Sequence, residues 1–299
     1  MIILNAVRRA LDSKLDTICK TTGVDRFEAL SRVSDFIDKN SAEWRNEEPD
    51  IDYGNPFCRL AYLYMNVPAH SELVRRAFNC FPSLWSEIGD RDELGNLGIS
   101  AMGGGPGAEL LGFSEFVCRK NFSNIPVITD FLLVDRVAEW DETWHVLKAS
   151  LDKSLVEQYG KDRQQWPVLI SRSFLPMSLT DPDQFSHFSV RFSDIRIYIL
   201  SYVVSELAHL VPKLTDVVEY LSTISQPGSK ILFIDRSQPE VISATEQIIE
   251  DIEGLRSCEL IKKREEWDVS FKDLGDWYLQ IPRLPRSTWQ AFFHLAEFA

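Results

Sequence analysis

The chain contains no run approaching the roughly 20 uninterrupted apolar residues that a membrane-crossing helix requires, so no spanning segment is expected. Its opening, MIILNAVRRALDSKLD, reads as an amphipathic helix and not as a signal peptide, and export is not expected. Cysteine is scarce. The five cysteines, Cys19, Cys58, Cys80, Cys118 and Cys258, are odd in number, scattered and free of any Cys-x-x-Cys pair. That spacing argues against a disulfide framework and a cysteine zinc site, and a reducing cytoplasm or nucleus is the expected compartment. The five histidines, His70, His145, His187, His209 and His294, show no ligand spacing, so no metal site is expected and each reads as structural or exposed. Basic charge is also in deficit, with 32 Lys and Arg against 45 Asp and Glu and a net charge of −13. Such a surface disfavours tight nonspecific contact with a phosphate backbone. The local basic groups are Arg8-Arg9, Arg75-Arg76, Lys262-Lys263-Arg264, and Arg283 with Arg286; short clusters of this kind are commonly solvated faces.

What is abundant in one place is glycine. The run Gly103-Gly104-Gly105-Pro106-Gly107 follows an apolar stretch, Leu97 to Met102, and precedes apolar residues at helical spacing, Leu110, Leu111, Phe113, Phe116 and Val117. Strand, glycine turn and helix in that order form a cradle for a nucleotide-like group. Glycine permits positive φ and close approach, and the helix start offers unpaired N–H groups. Glu109 falls in the first helical turn, where a carboxylate suits the dipole. No Gly-Lys-Ser/Thr follows, so a P-loop is excluded.

With 299 residues, 44% of them hydrophobic, the chain suffices for one large domain with an extension. Residues 1–90 read as a helical N-terminal extension, with helices over Ile3 to Thr21, Arg26 to Asn40, Cys58 to Tyr64 and His70 to Phe78 and a break at Pro68. RDELGN, 91–96, is the expected join to a domain over 91–299. There, strand candidates lie at Val127 to Val134, Trp166 to Phe174, Ile195 to Val203 and Lys230 to Ile234, alternating with helical stretches such as Glu206 to Ser222. The runs Cys258 to Val269 and Gln290 to Phe298 are ambiguous between helix and strand. The alternation predicts an α/β fold, a mostly parallel sheet with helices on both faces.

Ligands of such sheets lie beyond the carboxyl ends of the strands, which selects a short set of positions. These are Gly103, Gly104, Gly105 and Gly107; Asp135 after the second strand; the segment Pro176 to Asp183; Ser201 to Glu206; and Asp235-Arg236. Asp135 is positioned to accept both hydroxyls of a ribose, and Asp183, with Asp181 beside it, to meet an adenine amino group. Ser201 falls where a cofactor is expected, with Tyr202 and Glu206 as candidate catalytic residues; Ser205 suits a helix cap. The aromatic close, Trp277, Tyr278, Trp289, Phe292 and Phe293, suits a core better than a base-stacking platform.

These residues resemble class I S-adenosylmethionine-dependent methyltransferases. SAMGGGPGAELLGF is similar to their first motif, LLVD ending at Asp135 to their ribose-binding motif, and YILSYVVSEL and PGSKILFID to their fourth and fifth strands. The resemblance covers roughly residues 92–299. It implies a Rossmann-like seven-stranded sheet, S-adenosylmethionine as cofactor, and methyl transfer to RNA, a protein or a small molecule. The helical preface around Tyr62 is faintly similar to extensions on ribosome-associated methyltransferases. Where the family carries an acid two residues before the first glycine, this chain has Ala101, and no Asn-Pro-Pro-Tyr or Asp-Pro-Pro-Tyr follows the fourth strand. Two other readings stand beside transferase activity: an inactive cofactor-binding sensor or scaffold, and a nicotinamide or flavin enzyme, since GGGPGA satisfies G-x-G-x-x-A.

Overall fold

The computed structural model describes residues 2–43, 51–89, 96–120, 126–266 and 270–299. Residues 91–95 of the expected join lie outside them, as do residues 267–269 of the late apolar run. The chain opens with helices α1 (Ile2–Thr22), α2 (Arg26–Glu43), α3 (Pro56–Met65), α4 (Val67–Cys80) and α5 (Pro82–Gly89). It continues through β1 (Leu97–Met102), α6 (Ala108–Lys120), β2 (Val127–Asp135), α7 (Trp140–Tyr159), β3 (Val168–Pro176), α8 (Pro182–His187) and β4 (Ile195–Ser201). The remainder is α9 (Val203–Glu206), α10 (Val211–Ile224), β5 (Lys230–Arg236), α11 (Pro239–Asp251), β6 (Leu255–Glu266), α12 (Asp276–Gln280) and β7 (Thr288–Phe298).

The strands form a seven-stranded sheet in the order β3-β2-β1-β4-β5-β7-β6, parallel from β3 to β5, with β7 antiparallel to both of its neighbours. Successive crossovers run outward in opposite directions from β1 and β4, so a crevice opens at their carboxyl ends. Alternation along the central strands divides the core. Ile99, Leu133, Ile197 and Ile199 face one layer, while Leu132, Val134, Tyr198 and Leu200 face the other. This is the mostly parallel sheet, covered on both faces, that the alternation predicts, with the seven strands and Rossmann-like order that the resemblance implies.

The helices ahead of β1 are part of that cover. Leu4, Val7 and Leu11 of α1 and Val74 and Phe78 of α4 belong to the same buried cluster as Ile99, Phe113 and Trp144. Polar ties reinforce the packing. Buried Glu115 of α6 accepts the backbone N–H of Ile2 at 2.8 Å, and Lys14 of α1 reaches Glu142 of α7 at 2.7 Å.

Several boundaries differ from the sequence reading. Pro68 does not break a helix; it sits in the first turn of α4, where its missing N–H would have had no partner, and the break falls at Asn66. The stretch Glu206 to Ser222 is not one helix. α9 ends at Glu206, a 3₁₀ turn covers Ala208–Leu210, and α10 restarts with Pro212 in its first turn, because Pro212 cannot continue a preceding helix. Pro182 likewise opens the short α8. β3 runs two residues later than predicted, to Pro176, and both ambiguous late runs lie in strands. Trp277, Phe292 and Phe293 are core residues, the Trp277 indole donating to Asp12 at 3.0 Å.

Candidate functional site

The glycine turn is pinned to the end of the neighbouring strand: the N–H groups of Gly103 and Gly104 both donate to the Val134 carbonyl, at 2.8 and 3.4 Å. Gly103, Gly105 and Gly107 take φ of 69°, 49° and 87°, a region that side chains rarely enter. The glycines nevertheless do different work. A Cβ at Gly105 would meet nothing nearer than the Trp140 Nε1 at 3.8 Å, whereas one at Gly107 would lie 2.1 Å from the Trp144 ring. At Gly104 it would lie 2.5 Å from Leu133 and 3.1 Å from Glu109 Oε2. Gly103 and Gly105 therefore line a cavity, and Gly104 and Gly107 admit close packing beneath it.

Asp135 closes the adjoining edge. Its Oδ2 accepts the Gly105 N–H and its Oδ1 the Val137 N–H, both at 2.9 Å. Each oxygen keeps a further lone pair, and Asp135 lines the cavity. Burial raises the Asp135 carboxyl, while the Val137 and Gly105 bonds oppose that rise.

The turn ahead of α3, α3 itself and the start of α7 supply the opposite wall. Tyr53, Tyr62 and Trp140 form a three-ring cluster with centroids 5.2 to 5.6 Å apart, all three lining the cavity. Tyr53 is held there because buried Arg59 of α3 donates to the carbonyls of Tyr53 and Gly54, at 2.6 and 2.9 Å. Sequence reasoning missed this wall: Tyr53 and Trp140 lie in segments with no motif around them, and only folding brings them over the glycines.

The sequence-predicted residues after β3 and β4 are divided by the structure. Asp183 does not reach the cavity. Pro182 starts a helical turn that carries Asp183 to the exposed side, and Ser178, Leu179 and Thr180 line the cavity instead. Asp181 is the N-cap of that turn, its side chain bonded to Gln184. Ser201 is buried at the end of β4, outside the lining of the cavity. Ser205 does not cap α9; its hydroxyl donates to the Tyr202 carbonyl, and Asp235 accepts the Ser205 N–H.

Glu206 lines both the glycine-turn cavity and a second cavity of about 350 Å³ behind it; Tyr62 is also common to both. The Glu206 side chain is exposed into these spaces yet walled by protein, and burial, with Asp235 and Asp135 nearby, pushes its carboxyl up to about 8. Tyr202 belongs to the second cavity. Its φ of 63° makes it the sole non-glycine residue in the left-handed region among the described residues. Its ring stacks on His70 of α4, with centroids 4.4 Å apart and planes 19° from parallel. Burial and the nearby Arg286 and Arg236 push the His70 imidazole down to about 3, so it is neutral at physiological pH.

Beneath the turn, Glu109 is 3% exposed and its Oε2 has no hydrogen-bond partner among the described residues. Burial, with Asp135 adding to it, raises this carboxyl to about 8. Ala101 is fully buried, so the acid near the turn comes from the helix after it and not from the strand before it. Of the basic groups, Arg75 and Arg76 are occupied by buried Glu72, at 2.6 and 2.7 Å, and Arg9 pairs with Glu157. Arg283 and Arg286 line the second cavity, together with Arg236.

No family model and no curated protein matches the sequence. Among solved structures the chain is similar to a S-adenosylmethionine-dependent methyltransferase from Methanosarcina mazei, at 8% identity over 73% of this chain and 97% of that one, with a TM-score of 0.44. An N-methyltransferase from Bradyrhizobium japonicum in complex with S-adenosylhomocysteine is similar at 10% identity over 88% and 98% of the two chains, TM-score 0.40. Magnesium protoporphyrin IX methyltransferase from Synechocystis with bound S-adenosylmethionine is similar at 9% identity over 92% and 98%, TM-score 0.40.

Proposed function

We propose that this protein is a S-adenosylmethionine-dependent methyltransferase whose cofactor lies over the glycine turn. The observation that carries the reading is the pairing of Asp135 with Gly105: an acid with free lone pairs stands beside a glycine whose missing Cβ leaves open space, at the switch point of the sheet. The cradle suits an adenosyl group. Gly103 and Gly105 let the ligand approach the backbone, Asp135 accepts the ribose hydroxyls, and Leu179, Leu207 and Leu210 give a flat base apolar walls. The electron-rich faces of Tyr53, Tyr62 and Trp140 favour a cation.

S-adenosylmethionine supplies an electrophilic methyl on a sulfonium. The protein's share is then chiefly proximity and exclusion of water, together with disposal of the proton that the acceptor loses as its lone pair takes the methyl. Glu206, open to both cavities, is placed to receive that proton once its carboxyl is ionised. Tyr202 shapes the acceptor side of the junction.

Calorimetric titration with S-adenosylmethionine, run beside NADH on protein freed of carried-over ligand, tests the reading. Saturable S-adenosylmethionine binding that weakens in D135A is the expected result. Binding of NADH alone would replace the proposal with nicotinamide chemistry, and binding of neither would leave a scaffold.

A further inference from the structure

The second cavity has a character at odds with the protein around it. In a chain of net charge −13, its lining among the described residues carries three guanidinium groups, Arg236, Arg283 and Arg286, and a single carboxyl, Glu206. Arg283 lies 3.4 Å from Asp38, but Arg236 and Arg286 make no ion pair within 4 Å among the described residues. The residues come from distant parts of the sequence: the turn after β4, the end of β5, the segment before β7, and α4, which contributes His70. Arg236 lies near Glu206 and Asp235 without a contact pair to either, so two guanidinium groups remain able to receive an anion, whose paired oxygens a guanidinium fork matches.

The rest of the lining is shaped as well. The stack of Tyr202 on His70 makes a flat, neutral wall, and it is sustained at a backbone conformation that costs free energy. Strain of this kind persists where the surroundings impose it, commonly at sites of function. Glu206 and Tyr62, shared with the glycine-turn cavity, mark where the two spaces adjoin. A molecule anchored at its far end by Arg236 and Arg286 would present its near end to that junction. The volume, about 350 Å³, suits a small molecule and is too small for a folded partner or a helix of nucleic acid.

We infer that the second cavity is the acceptor site, and that the acceptor is a small organic acid, held by its carboxylate or phosphate group on Arg236 and Arg286 with its nucleophile directed toward Glu206. The inference rests on the methyltransferase reading for the word acceptor; the anion site itself does not.

The test is ligand-detected NMR titration of the intact protein with benzoate, phenyl phosphate and the neutral benzamide. Binding of S-adenosylhomocysteine is measured separately by calorimetry. Benzoate or phenyl phosphate should bind saturably and benzamide far more weakly. Each of R236Q and R286Q should lower the anion's affinity about ten-fold, the loss of one charge-assisted contact. Preference for benzoate assigns a carboxylic acid, and preference for phenyl phosphate a phosphate ester. Equal binding of benzamide, no saturable anion binding, or affinities unmoved in the R236Q/R286Q double variant would overturn the inference. If the anion binds and S-adenosylhomocysteine does not, the anion site stands and the methyltransferase reading falls.

Discussion

Asp235, in β5, accepts the backbone N–H of Ser205 at 3.0 Å, while Asp135, at the end of β2, accepts that of Gly105 at 2.9 Å. In both cases a carboxylate at a strand's carboxyl end fixes the turn that leaves the neighbouring strand, β4 or β1. Each also accepts an N–H from its own following segment, Arg236 at 2.7 Å and Val137 at 2.9 Å. The crevice is thus bordered by two turns held in the same way, one beside each cavity.

This arrangement predicts that D135A loosens the glycine turn as well as removing a ligand contact. Loss of a buried, charge-assisted acceptor costs roughly 1.5–3 kcal/mol. The affinity for S-adenosylhomocysteine should fall ten-fold or more by calorimetry, with a lowered melting temperature. D135N, which keeps one oxygen, should recover part of the stability and less of the affinity.

Gly105 and Gly107 should separate binding from folding. G105V places its side chain in the open space beside Trp140 and should yield a folded protein that no longer binds S-adenosylhomocysteine. G107A brings a methyl into the Trp144 ring, where an approach of 2.1 Å cannot be accommodated without moving the core. It should lower the unfolding midpoint in urea markedly. A stable G107A protein would show that the turn does not depend on this contact.

Glu109 should give stability a pH dependence. Its folded carboxyl is raised to about 8 from the ordinary 4.5, so the folded state holds a proton that the unfolded chain has lost between these values. The stability it contributes is complete below the unfolded value and is lost as pH rises through the folded one. Urea unfolding from pH 5 to 9 should show a decline that is smaller in E109Q by a few kcal/mol.

Glu206 should shape the rate. With its carboxyl raised to about 8, the fraction able to accept a proton grows as pH rises through that value. Turnover on an acceptor that must lose a proton should rise with it. E206Q should be slower by ~10²-fold, without that rise. Unchanged turnover and pH profile in E206Q would remove the residue from proton transfer.

His70 should remain neutral over the physiological range, since its imidazole is pushed down to about 3. Its ring carbon shifts in NMR should not titrate between pH 5 and 8. In Y202G the backbone strain at φ 63° is relieved while the stacked ring is lost. Thermal stability should therefore change little, while anion affinity falls.

The sheet was legible because its strands are continuous apolar runs bounded by turn residues. Asp135 and the glycines were legible because they are consecutive or stand at a strand end. Asp183 was misplaced by the same logic: a sequence position beyond a strand does not say that Pro182 will start a helical turn and carry the carboxylate away. Of the second cavity, Tyr202, Glu206 and Arg236 were legible as positions beyond strand ends, but their convergence with His70 and Arg286 was not, because the intervals between them carry no periodicity and the meeting is a property of packing. Arg75 and Arg76 resembled a basic patch until Glu72, one helical turn earlier, was seen to neutralise them.

The segment ahead of β1 packs into the core on one face of the sheet and also furnishes Tyr53, Tyr62 and His70 to the cavities. Selectivity here is built into the foundations and not added as an appendage. Exchanging this segment for another protein's would uncover the sheet, so a new ligand preference must arise through single side chains at the cavity surface.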